Sequence, residues 1–373
     1  MFAVPPVRDE LLQVFGSSFD DREVEAVRRA LERRWIGMGP QVERFEEALG
    51  EHLGAHVVMV NSGTSALQLA VELLELPPGS ELVLPSFTWV GCANAVALAG
   101  HTPVFADVEA DSANVSAGTV EPQLSERTGA VMPVHYAGKP VRLDELAKLG
   151  LPLLEDAAHA VDSALGGRPC GTIGRLGVLS FDSVKNLATP DGGAVVTADA
   201  ELAERARRLR HCGIGSSGFE RRGEGRWWEH DIERPFPKLT PNDVSAAIGL
   251  VQLDKLDAAQ ERRREIWATY TEQLAGLGWL ALPPGPATDE RHSWFTYLVR
   301  VVDGRRDALA AALLDQGIYT TLRYSPLHRI GVYATGTPLP ATERLADEGL
   351  NLPLHPRMTD ADVERVVAAI SAF

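Results

Sequence analysis

The sequence GVLSFDSVKNLATPDGGAVVT (177–197) contains two short apolar runs, 178–181 and 194–197, on either side of a polar loop that carries Lys185. Short apolar runs with little alternation are typical of strands that are covered on both faces. Similar runs precede this stretch at 57–60, 81–84, 103–106, 131–134 and 152–155. Helical segments fit between the runs, at 64–75, 88–99, 142–149, 156–163 and 199–211. This alternation predicts an α/β fold, a large domain with a mainly parallel seven-stranded sheet covered by helices.

Two amphipathic segments come before the first predicted strand. A helical period places Val24, Val27 and Leu31 on one face of the first segment. The second segment begins near Pro40, and its expected core positions are Val42, Phe45, Leu49 and Leu53.

The last third of the chain has a different pattern. One long helix fits 241–276, and the turn-rich residues 283–290 follow it. We then expect a strand at 294–302, a helix at 305–316, a short strand near 319–323 and two closing helices. This order predicts a smaller C-terminal α+β domain, with the large domain at 1–255 and the small domain at 256–373.

The charge balance excludes two classes of partner. The 373 residues include 36 Lys+Arg and 51 Asp+Glu, which gives a formal net charge of −15. Nucleic acid and anionic membrane surfaces both bind clustered cations, so neither is expected as the main partner. Only five of the 36 basic residues are lysines, which makes each lysine worth considering separately as a catalytic candidate.

Neither a disulfide framework nor a membrane span is expected. The three cysteines are far apart and form no CxxC pair, which fits a reducing compartment. The stretch from Leu82 to Ala106 lacks Asp, Glu, Lys and Arg, but Pro85 and Pro103 interrupt it as a membrane helix. Residues 1–12 lack the regions of a signal peptide, so we expect a cytoplasmic protein.

One candidate anion site is NSGTSALQLAVEL (61–73), where a helix is expected to begin directly after a strand. Gly63 lets the backbone approach an anion, the first N–H groups of the helix point toward it, and Thr64 or Ser65 adds a hydroxyl. A plain N-cap on a strand-to-helix turn is the alternative interpretation. The choice depends on which other side chains lie at the same edge of the sheet.

Three other predicted strand ends carry chemically useful side chains, which are Trp89, Asp156, His159 and Lys185. Ligands of open α/β sheets bind beyond the carboxyl ends of the strands, so we expect these side chains to converge. Taken singly, each has a structural alternative: a core aromatic, an N-cap, a histidine with its hydrogen bonds satisfied, and a solvated cation.

Together these groups match the requirements of pyridoxal 5'-phosphate (PLP). This cofactor needs an anion cradle for its phosphate, a carboxylate for its pyridine nitrogen, a flat face for its ring and a lysine for its aldehyde. A carboxylate about 4 Å from the protonated nitrogen contributes about 4 kcal/mol at an effective dielectric of 20. Of the five lysines, only Lys185 and Lys238 are expected near this edge of the sheet, since the others fit exposed helix faces or a turn.

The motif GIGSSG (213–218) has the spacing of a dinucleotide-binding loop and would indicate a nicotinamide dehydrogenase. Such a loop requires a strand before it and a helix after it. Here a predicted helix precedes the motif and a polar turn follows, so we interpret it as the end of a helix and a loop.

The chain resembles the DegT/StrS family of PLP-dependent sugar aminotransferases, which have the aspartate aminotransferase fold (fold type I). The resemblance covers nearly the whole chain, and it includes NSGTSAL (61–67), LLEDAAHA (153–160), SFDSVKN (180–186) and YSPLH (324–328). The combination of EDAAHA with SF-x-x-x-K-N is the most specific part of it. The resemblance implies a homodimer with active sites at the subunit interface.

The resemblance also implies a role for each candidate residue. Lys185 would bind the aldehyde of the cofactor and move protons, and Asp156 would hold the pyridine nitrogen. His159 would lie beside the ring, and Trp89 would stack on it. The remaining contacts would be Gly63, Thr64 and Ser180 on the phosphate, and Lys238 on the cofactor of the neighbouring subunit.

The chain departs from the family pattern in the loop of the lysine and on the acceptor side. Asp182 stands where the family often has His or Gln, and Arg323 stands where His is common. Phe236 and Pro237 replace a glycine–aromatic pair. The expected acceptor contacts are Trp35, Arg323, Tyr324 and His328, and ordinary packing between domains is the alternative for these residues.

We therefore expect transfer of an amino group from L-glutamate or L-glutamine to a keto-sugar, preferably nucleotide-linked, in the biosynthesis of amino sugars and secondary metabolites. A keto-cyclitol is the alternative acceptor. Sugar dehydration is a further alternative, although dehydrating relatives carry His in place of the lysine. A non-catalytic sugar-binding regulator with the same fold also stays open.

Overall fold

The computed structural model describes residues 11–215 and 230–373. Its helices are α1 (Asp21–Glu32), α2 (Pro40–Leu53), α3 (Gly63–Leu73), α4 (Val90–Leu98), α5 (Ala117–Val120), α6 (Leu143–Leu146), α7 (Ala200–Leu209), α8 (Asp243–Asp254), α9 (Leu256–Leu274), α10 (Arg306–Asp315), α11 (Pro340–Glu348) and α12 (Asp360–Ser371). Its strands are β1 (His56–Val60), β2 (Glu81–Pro85), β3 (Thr102–Ala106), β4 (Thr128–Val131), β5 (Leu154–Asp156), β6 (Ala164–Leu165), β7 (Arg168–Pro169), β8 (Leu176–Ser180), β9 (Gly193–Thr197), β10 (Leu280–Ala281), β11 (Glu290–Arg291), β12 (Tyr297–Val301) and β13 (Gly349–Leu352).

The central sheet has the strand order β3-β2-β4-β5-β8-β9-β1. Strand β2 pairs in parallel with β3 and β4, and β5 pairs in parallel with β8. The parallel bridges Val131–Leu153 and Val134–Asp156 join β4 to β5. Strand β9 runs antiparallel to both of its neighbours, β8 and β1. The mainly parallel seven-stranded sheet predicted from the sequence is confirmed.

Strand direction brings several chain segments to one edge of this sheet. Strands β2, β5 and β8 run the same way, so the residues after Pro85, Asp156 and Ser180 lie at the same edge. Gly193 at the start of β9 pairs with both Ser180 and Val60, so the end of β1 lies there too. The start of α3 is therefore next to the loop that carries Lys185.

Alternate residues of β1 contribute to two separate cores on opposite faces of the sheet. Val58 and Val60 belong to the core beneath α3, α4 and α7. Val57 and Met59 instead belong to the core beneath α2 and α8. Successive side chains of a strand point to opposite faces, so a continuous apolar run is needed where helices cover both faces.

Helix α2 buries the predicted face, but α1 does not. Val24 and Leu31 are 68% and 52% exposed, whereas Glu23 and Ala30 are buried. The Glu23 carboxylate accepts from Gln252 Nε2 at 2.6 Å and Lys255 Nζ at 2.8 Å, so α1 docks on α8 through a polar network. The apolar face predicted for α1 is thus left largely exposed by this chain, because an ion pair rather than apolar burial fixes the rotation of α1.

Three other sequence predictions differ from the structure. The segment 156–163 forms consecutive turns instead of a helix, because the Asp156 carboxylate takes the N–H of Ala158 at 3.0 Å. The long helix expected at 241–276 is divided at Lys255, whose side chain bonds the Ser18 carbonyl, so this lysine is not on a free helix face. The short strand expected near 319–323 is reduced to isolated bridges, and β13 pairs with β12 instead.

The C-terminal part of the chain has a core of its own. The sheet β10-β12-β13 packs against α9, α10 and α12 through residues such as Tyr270, Val299 and Ile370. The boundary between residues 255 and 256 stays a prediction. In the part of the chain that the structure describes, no helix is both long and apolar enough to cross a membrane.

Candidate active site

Lys185 lies in a buried position at the convergent edge of the sheet. Its exposed fraction is 9%, and its backbone N–H donates to the Asp182 carbonyl at 2.8 Å in a tight turn after β8. Its Nζ lies 4.9 Å from the ring centroid of Phe295. The polar turn of the loop therefore directs its amine inward, where it is partly removed from water.

Burial lowers the pKa of Lys185 from 10.5 to about 8, and the positive charge of Arg323 acts in the same direction. The carboxylates of Asp156 and then Asp182 oppose this shift. A larger fraction of the amine is consequently neutral near pH 7 than for a free lysine, and only the neutral form accepts a proton or attacks a carbonyl.

Replacing Lys185 with Met is expected to stabilise the cofactor-free protein at pH 7 by about 3 kcal/mol, because its pKa falls from 10.5 to about 8 and one pKa unit corresponds to about 1.4 kcal/mol. The folded-state pKa lies below the unfolded one, so between them the unfolded chain binds more protons and wild-type stability rises with pH. The gain in the free energy of unfolding of the Met variant over wild type should be complete below pH about 8 and should vanish above pH 10.5. Denaturant unfolding at pH 7 and 10.5 measures it, and the exposed Lys148→Met variant should show no such pH dependence.

The Asp156 carboxylate is buried and held on both of its oxygens. Its side chain ends β5 with an exposed fraction of 3%. Oδ1 accepts from the Ala158 N–H at 3.0 Å, and Oδ2 accepts from the thiol of Cys92 at 3.0 Å. Its backbone carbonyl accepts from the His135 N–H at 3.0 Å, so the whole residue is fixed in place.

His159 lies in a stack of aromatic rings next to Lys185. Its ring stacks on Phe295 at a centroid distance of 4.0 Å, and its Nε2 is 3.1 Å from the Tyr324 hydroxyl. Phe15 continues the stack on Phe295 at 5.2 Å. Burial, together with the charges of Lys185 and Arg323, holds the pKa of His159 well below 6.5, so the ring is neutral. Its Nδ1 is buried and has no hydrogen-bond partner among the described residues.

The start of α3 forms a small cradle against β8 and β9. Ser62 caps the helix by accepting from the Ser65 N–H at 3.1 Å, and the N–H groups of Gly63 and Thr64 have no helical carbonyl to bond. A Cβ on Gly63 would lie 2.7 Å from Cβ of Ser180. Glycine is therefore required here by the close approach of the loop to β8.

Trp89 and Thr64 lie on the open side of the same edge. A Cβ on Gly91 would approach the Trp89 ring at 2.7 Å and Thr64 Oγ1 at 3.1 Å, which places both side chains close to Gly91. The Trp89 ring is 52% exposed and 5.9 Å from the Tyr324 ring. Its exposed face is free to contact a flat ligand.

The structure also places Lys238 near this cradle, on an exposed segment. The carbonyl of the adjacent Leu239 accepts from the Asn61 N–H at 3.0 Å, next to the start of α3. The Lys238 backbone forms a bridge with His211. Its side chain is therefore available to a ligand or to a second subunit near Ser62 and Gly63.

The expected acceptor contacts fall into two groups. Tyr324 and Arg323 belong to the site: the Arg323 guanidinium lies 4.0 Å from the Phe15 ring centroid and 5.8 Å from that of Tyr324. Trp35 instead lies on the exposed turn before α2, where its Nε1 donates to the Met38 carbonyl at 2.9 Å. Neither the packing of Arg323 and Tyr324 nor the hydrogen bond of Trp35 assigns a substrate contact.

His328 has partners on both ring nitrogens. Nδ1 lies 2.7 Å from Ser86 Oγ, and Nε2 lies 3.2 Å from a Glu343 carboxylate oxygen. This set resembles the serine, histidine and carboxylate of a hydrolase, but Ser86 is fully buried and accepts from the His328 backbone N–H at 3.1 Å. The geometry gives His328 a structural role in holding the 324–328 segment against the end of β2.

Sequence reasoning missed four residues of the site, which are Phe15, Cys92, Tyr136 and Phe295. They come from distant parts of the chain, and no local spacing connects them to Lys185. Of the motif GIGSSG, residues 213–215 follow α7 in turns, as expected, and 216–218 lie outside the described residues.

Comparison with known proteins gives the class of this protein. Residues 17–371 match the DegT/DnrJ/EryC1/StrS aminotransferase family. The chain belongs to this family, and it is a PLP-dependent aminotransferase. The family resemblance and the enzyme class predicted from the sequence are confirmed.

Individual relatives agree along their full length. The dTDP-4-dehydro-2,3,6-trideoxy-D-glucose 4-aminotransferase of Saccharopolyspora spinosa is 41% identical over 353 residues, which are 92% of each chain. The crystal structure of the aminotransferase TlmJ from Streptoalloteichus hindustanus is 42% identical and superimposes with a TM-score of 0.91 over 97% of this chain and 98% of that one. The PLP form of the sugar aminotransferase Spr1654 from Streptococcus pneumoniae, described as putative, is 26% identical, with a TM-score of 0.89 over 97% and 98% of the two chains.

Proposed function

We propose that this protein transfers an amino group from L-glutamate or L-glutamine to a nucleotide-linked keto-sugar, in the biosynthesis of an amino sugar of a secondary metabolite. The main support is that three groups meet at one edge of the sheet: the buried Lys185 with its lowered pKa, the fixed carboxylate of Asp156 and the start of α3. The likeness to a dTDP-keto-sugar 4-aminotransferase supports the choice of acceptor.

The residues present fit PLP. The unbonded N–H groups of Gly63 and Thr64, with the hydroxyls of Thr64 and Ser180, would hold its phosphate. Asp156 would hold the ring nitrogen, and the buried Nδ1 of His159, which has no partner among the described residues, would gain one near the ring. Trp89 would cover one face of the ring. When bound, PLP supplies an electron sink that makes the α-proton of an amino acid acidic.

The chain itself supplies the proton transfers. Lys185 Nζ in its neutral form accepts the proton from the α-carbon of the amino-acid donor and later gives a proton to the former ketone carbon. The neutral His159 and the Tyr324 hydroxyl, 3.1 Å apart, hold a single hydrogen bond beside this amine. The buried rings of Tyr136 and Phe295 contact His159, and with Phe15 stacked on Phe295 they would exclude water from the same space.

The alternatives are weaker for physical reasons. A keto-cyclitol acceptor would require the same proton transfers by Lys185, so these transfers do not distinguish it from a keto-sugar. A dehydratase of this fold would need the lysine position to lack an amine, and Lys185 is present and buried. A non-catalytic regulator has no need for a buried lysine whose pKa is lowered to about 8.

A panel of ketones tests the proposal. Purified protein loaded with PLP is offered several nucleotide-linked keto-sugars and several keto-cyclitols, each with L-glutamate and with L-glutamine, and formation of the donor's keto acid is measured. We expect turnover with a nucleotide-linked keto-sugar. Turnover with keto-cyclitols alone would overturn the choice of acceptor, and a colourless protein that binds no PLP would overturn the proposal as a whole.

Arg323 is proposed as a contact to the phosphates of the acceptor. Its guanidinium has no ion-pair partner among the described residues, while its backbone N–H is fixed by Asn351 Oδ1 at 2.8 Å. Replacing Arg323 with Gln should raise KM for the nucleotide sugar about 10- to 100-fold, because a hydrogen bond to a charged group contributes about 1.5–3 kcal/mol. KM for glutamate should change less than about threefold, and the reverse pattern would assign Arg323 to the donor carboxylate.

We also propose that two copies form a homodimer through the exposed face of α1. This face carries Val24 and Leu31, and the exposed Trp35 and Ile36 follow it. Contiguous exposed apolar side chains of this kind mark a contact with another protein. A second copy would bring its own residues toward Lys238 and the α3 cradle, which is the arrangement that the family resemblance implies.

The double variant Val24→Glu/Leu31→Glu should shift the protein from dimer to monomer at micromolar concentration. Two unpaired carboxylates would have to be buried in the contact, which costs several kcal/mol. Light scattering coupled to size exclusion measures the mass, and Val332→Glu, which changes another exposed valine, is the control. A double variant that stays dimeric would rule out this face.

We further infer a cytoplasmic location, since Cys92, Cys170 and Cys212 are all free of disulfide bonds.

A further inference from the structure

The thiol of Cys92 contacts the carboxylate of Asp156 inside the core. Cys92 lies in the first turn of α4 and is fully buried. Its Sγ donates to Asp156 Oδ2 at 3.0 Å, while Oδ1 is held by the Ala158 N–H at 3.0 Å. Each oxygen of this carboxylate therefore has one protein donor, and the two donors come from different elements.

The hydrogen bonds around the sulfur have one consistent direction. Thr88 Oγ1 lies 3.4 Å from Cys92 Sγ, and either atom could donate. A thiol has a single proton, and an ionised carboxylate can only accept. Because the Cys92 thiol donates its single proton to Asp156, the Thr88 hydroxyl must be the donor in the hydrogen bond to the sulfur. Burial raises the pKa of Cys92 well above its usual value, and Asp156 adds to the shift, so the thiol keeps its proton.

We infer that Cys92 is a positioning residue, which fixes the plane of the Asp156 carboxylate through the relay Thr88 to Cys92 to Asp156. Two donors on separate oxygens prevent the carboxylate from rotating about its Cβ–Cγ bond, and they leave a lone pair on each oxygen for a ligand. The inference rests on the proposed role of Asp156 toward the ring nitrogen of PLP. It adds a residue on a different helix that acts only through that carboxylate.

Three substitutions at Cys92 separate the effect of losing the hydrogen-bond donor from the effect of losing packed volume. Cys92→Ala removes the donor and volume, Cys92→Val removes the donor but fills the space, and Cys92→Ser keeps a donor. We expect the dissociation constant of PLP to rise about 10- to 100-fold in the Ala and Val variants, as for loss of a hydrogen bond to a charged group, and to change less than about threefold with Ser. Reconstitution of the cofactor-free protein measures these constants. Cys170→Ala removes another fully buried thiol and should leave PLP affinity unchanged.

A spectroscopic readout and a double-variant cycle test the relay itself. The pH titration of the visible absorption of bound PLP should shift in Cys92→Val and return toward wild type in Cys92→Ser. In an Asp156→Asn background, Cys92→Val should weaken PLP binding by less than about threefold further, because residues that act through one another are not additive. Additive losses, or a Val variant with wild-type affinity and titration, would overturn the inference.

The inference and the proposed function fail in different ways. A wild-type protein that binds no PLP contradicts the proposed function. A wild-type protein that binds PLP, is weakened by Asp156→Asn and is unaffected by Cys92→Val contradicts the role of Cys92 alone.

Discussion

Lys185→Ala should abolish turnover, lowering kcat by at least about 10⁴-fold, and should remove the visible absorption band of the PLP-loaded protein. In the proposed function this amine binds the aldehyde of PLP and moves the α-proton, so one substitution would remove both functions. Two of the other four lysines are held elsewhere by carboxylates. Lys139 is paired with Glu290 at 2.7 Å, and Lys255 with Glu23 at 2.8 Å. Keto-acid formation and the absorption spectrum of the purified variant are the two measurements.

Lys148→Ala is the matched control for that experiment. It removes an exposed lysine from the short helical segment after α6 and should leave both kcat and the spectrum unchanged. A Lys185→Ala protein with more than a tenth of wild-type activity would contradict the catalytic assignment of this lysine. Far-UV circular dichroism of both variants checks that the fold is retained.

Asp156→Asn should lower kcat about 10³-fold and weaken PLP binding. A carboxylate about 4 Å from the ring nitrogen contributes about 4 kcal/mol at an effective dielectric of 20, and each 1.4 kcal/mol corresponds to a factor of ten. Asparagine keeps the shape and can still accept from the Ala158 N–H, so the loss should come from the missing charge. Steady-state kinetics and equilibrium dialysis of PLP measure the two effects.

Asp182→Asn separates a general charge effect from the specific role of Asp156. Asp182 also acts on Lys185 electrostatically, but its Oδ1 accepts from the Val184 N–H at 3.1 Å within its own turn. Asparagine can keep that hydrogen bond, and we expect kcat to fall less than about tenfold. Equal losses in the two variants would mean that negative charge near the lysine matters more than contact with the ring nitrogen.

The sheet could be predicted from the sequence because its strands are covered on both faces. An inner strand such as β9 is buried at every position and has a continuous run of small and apolar residues at its centre, so the signal does not depend on neighbouring elements. The strand ends then placed Trp89, Asp156 and Lys185 at one edge without any knowledge of side-chain contacts. The family motifs lie at these same strand ends, which is why local spacing was enough.

The rest of the site depends on contacts that no local pattern encodes. The rotation of α1 is fixed by Glu23 meeting Gln252 and Lys255, more than 200 residues away in the chain. The turns after Asp156 form because its carboxylate competes for the Ala158 N–H, which a helical period does not reveal. Cys92 gave no signal, because a lone cysteine in an apolar helix has the same sequence context whether or not it meets a carboxylate.

The stack of Phe15, Phe295, His159 and Tyr324 determines which parts of the chain PLP binding would stabilise. Its rings come from the segment before α1, from the turns after β5 and from two places in the C-terminal part of the chain. A ligand that binds only the folded form stabilises it in proportion to the logarithm of its concentration over its Kd. If PLP binds beside Lys185 as proposed, it should stabilise segments from both ends of the chain at once, and loading with the cofactor should slow proteolysis of the folded protein.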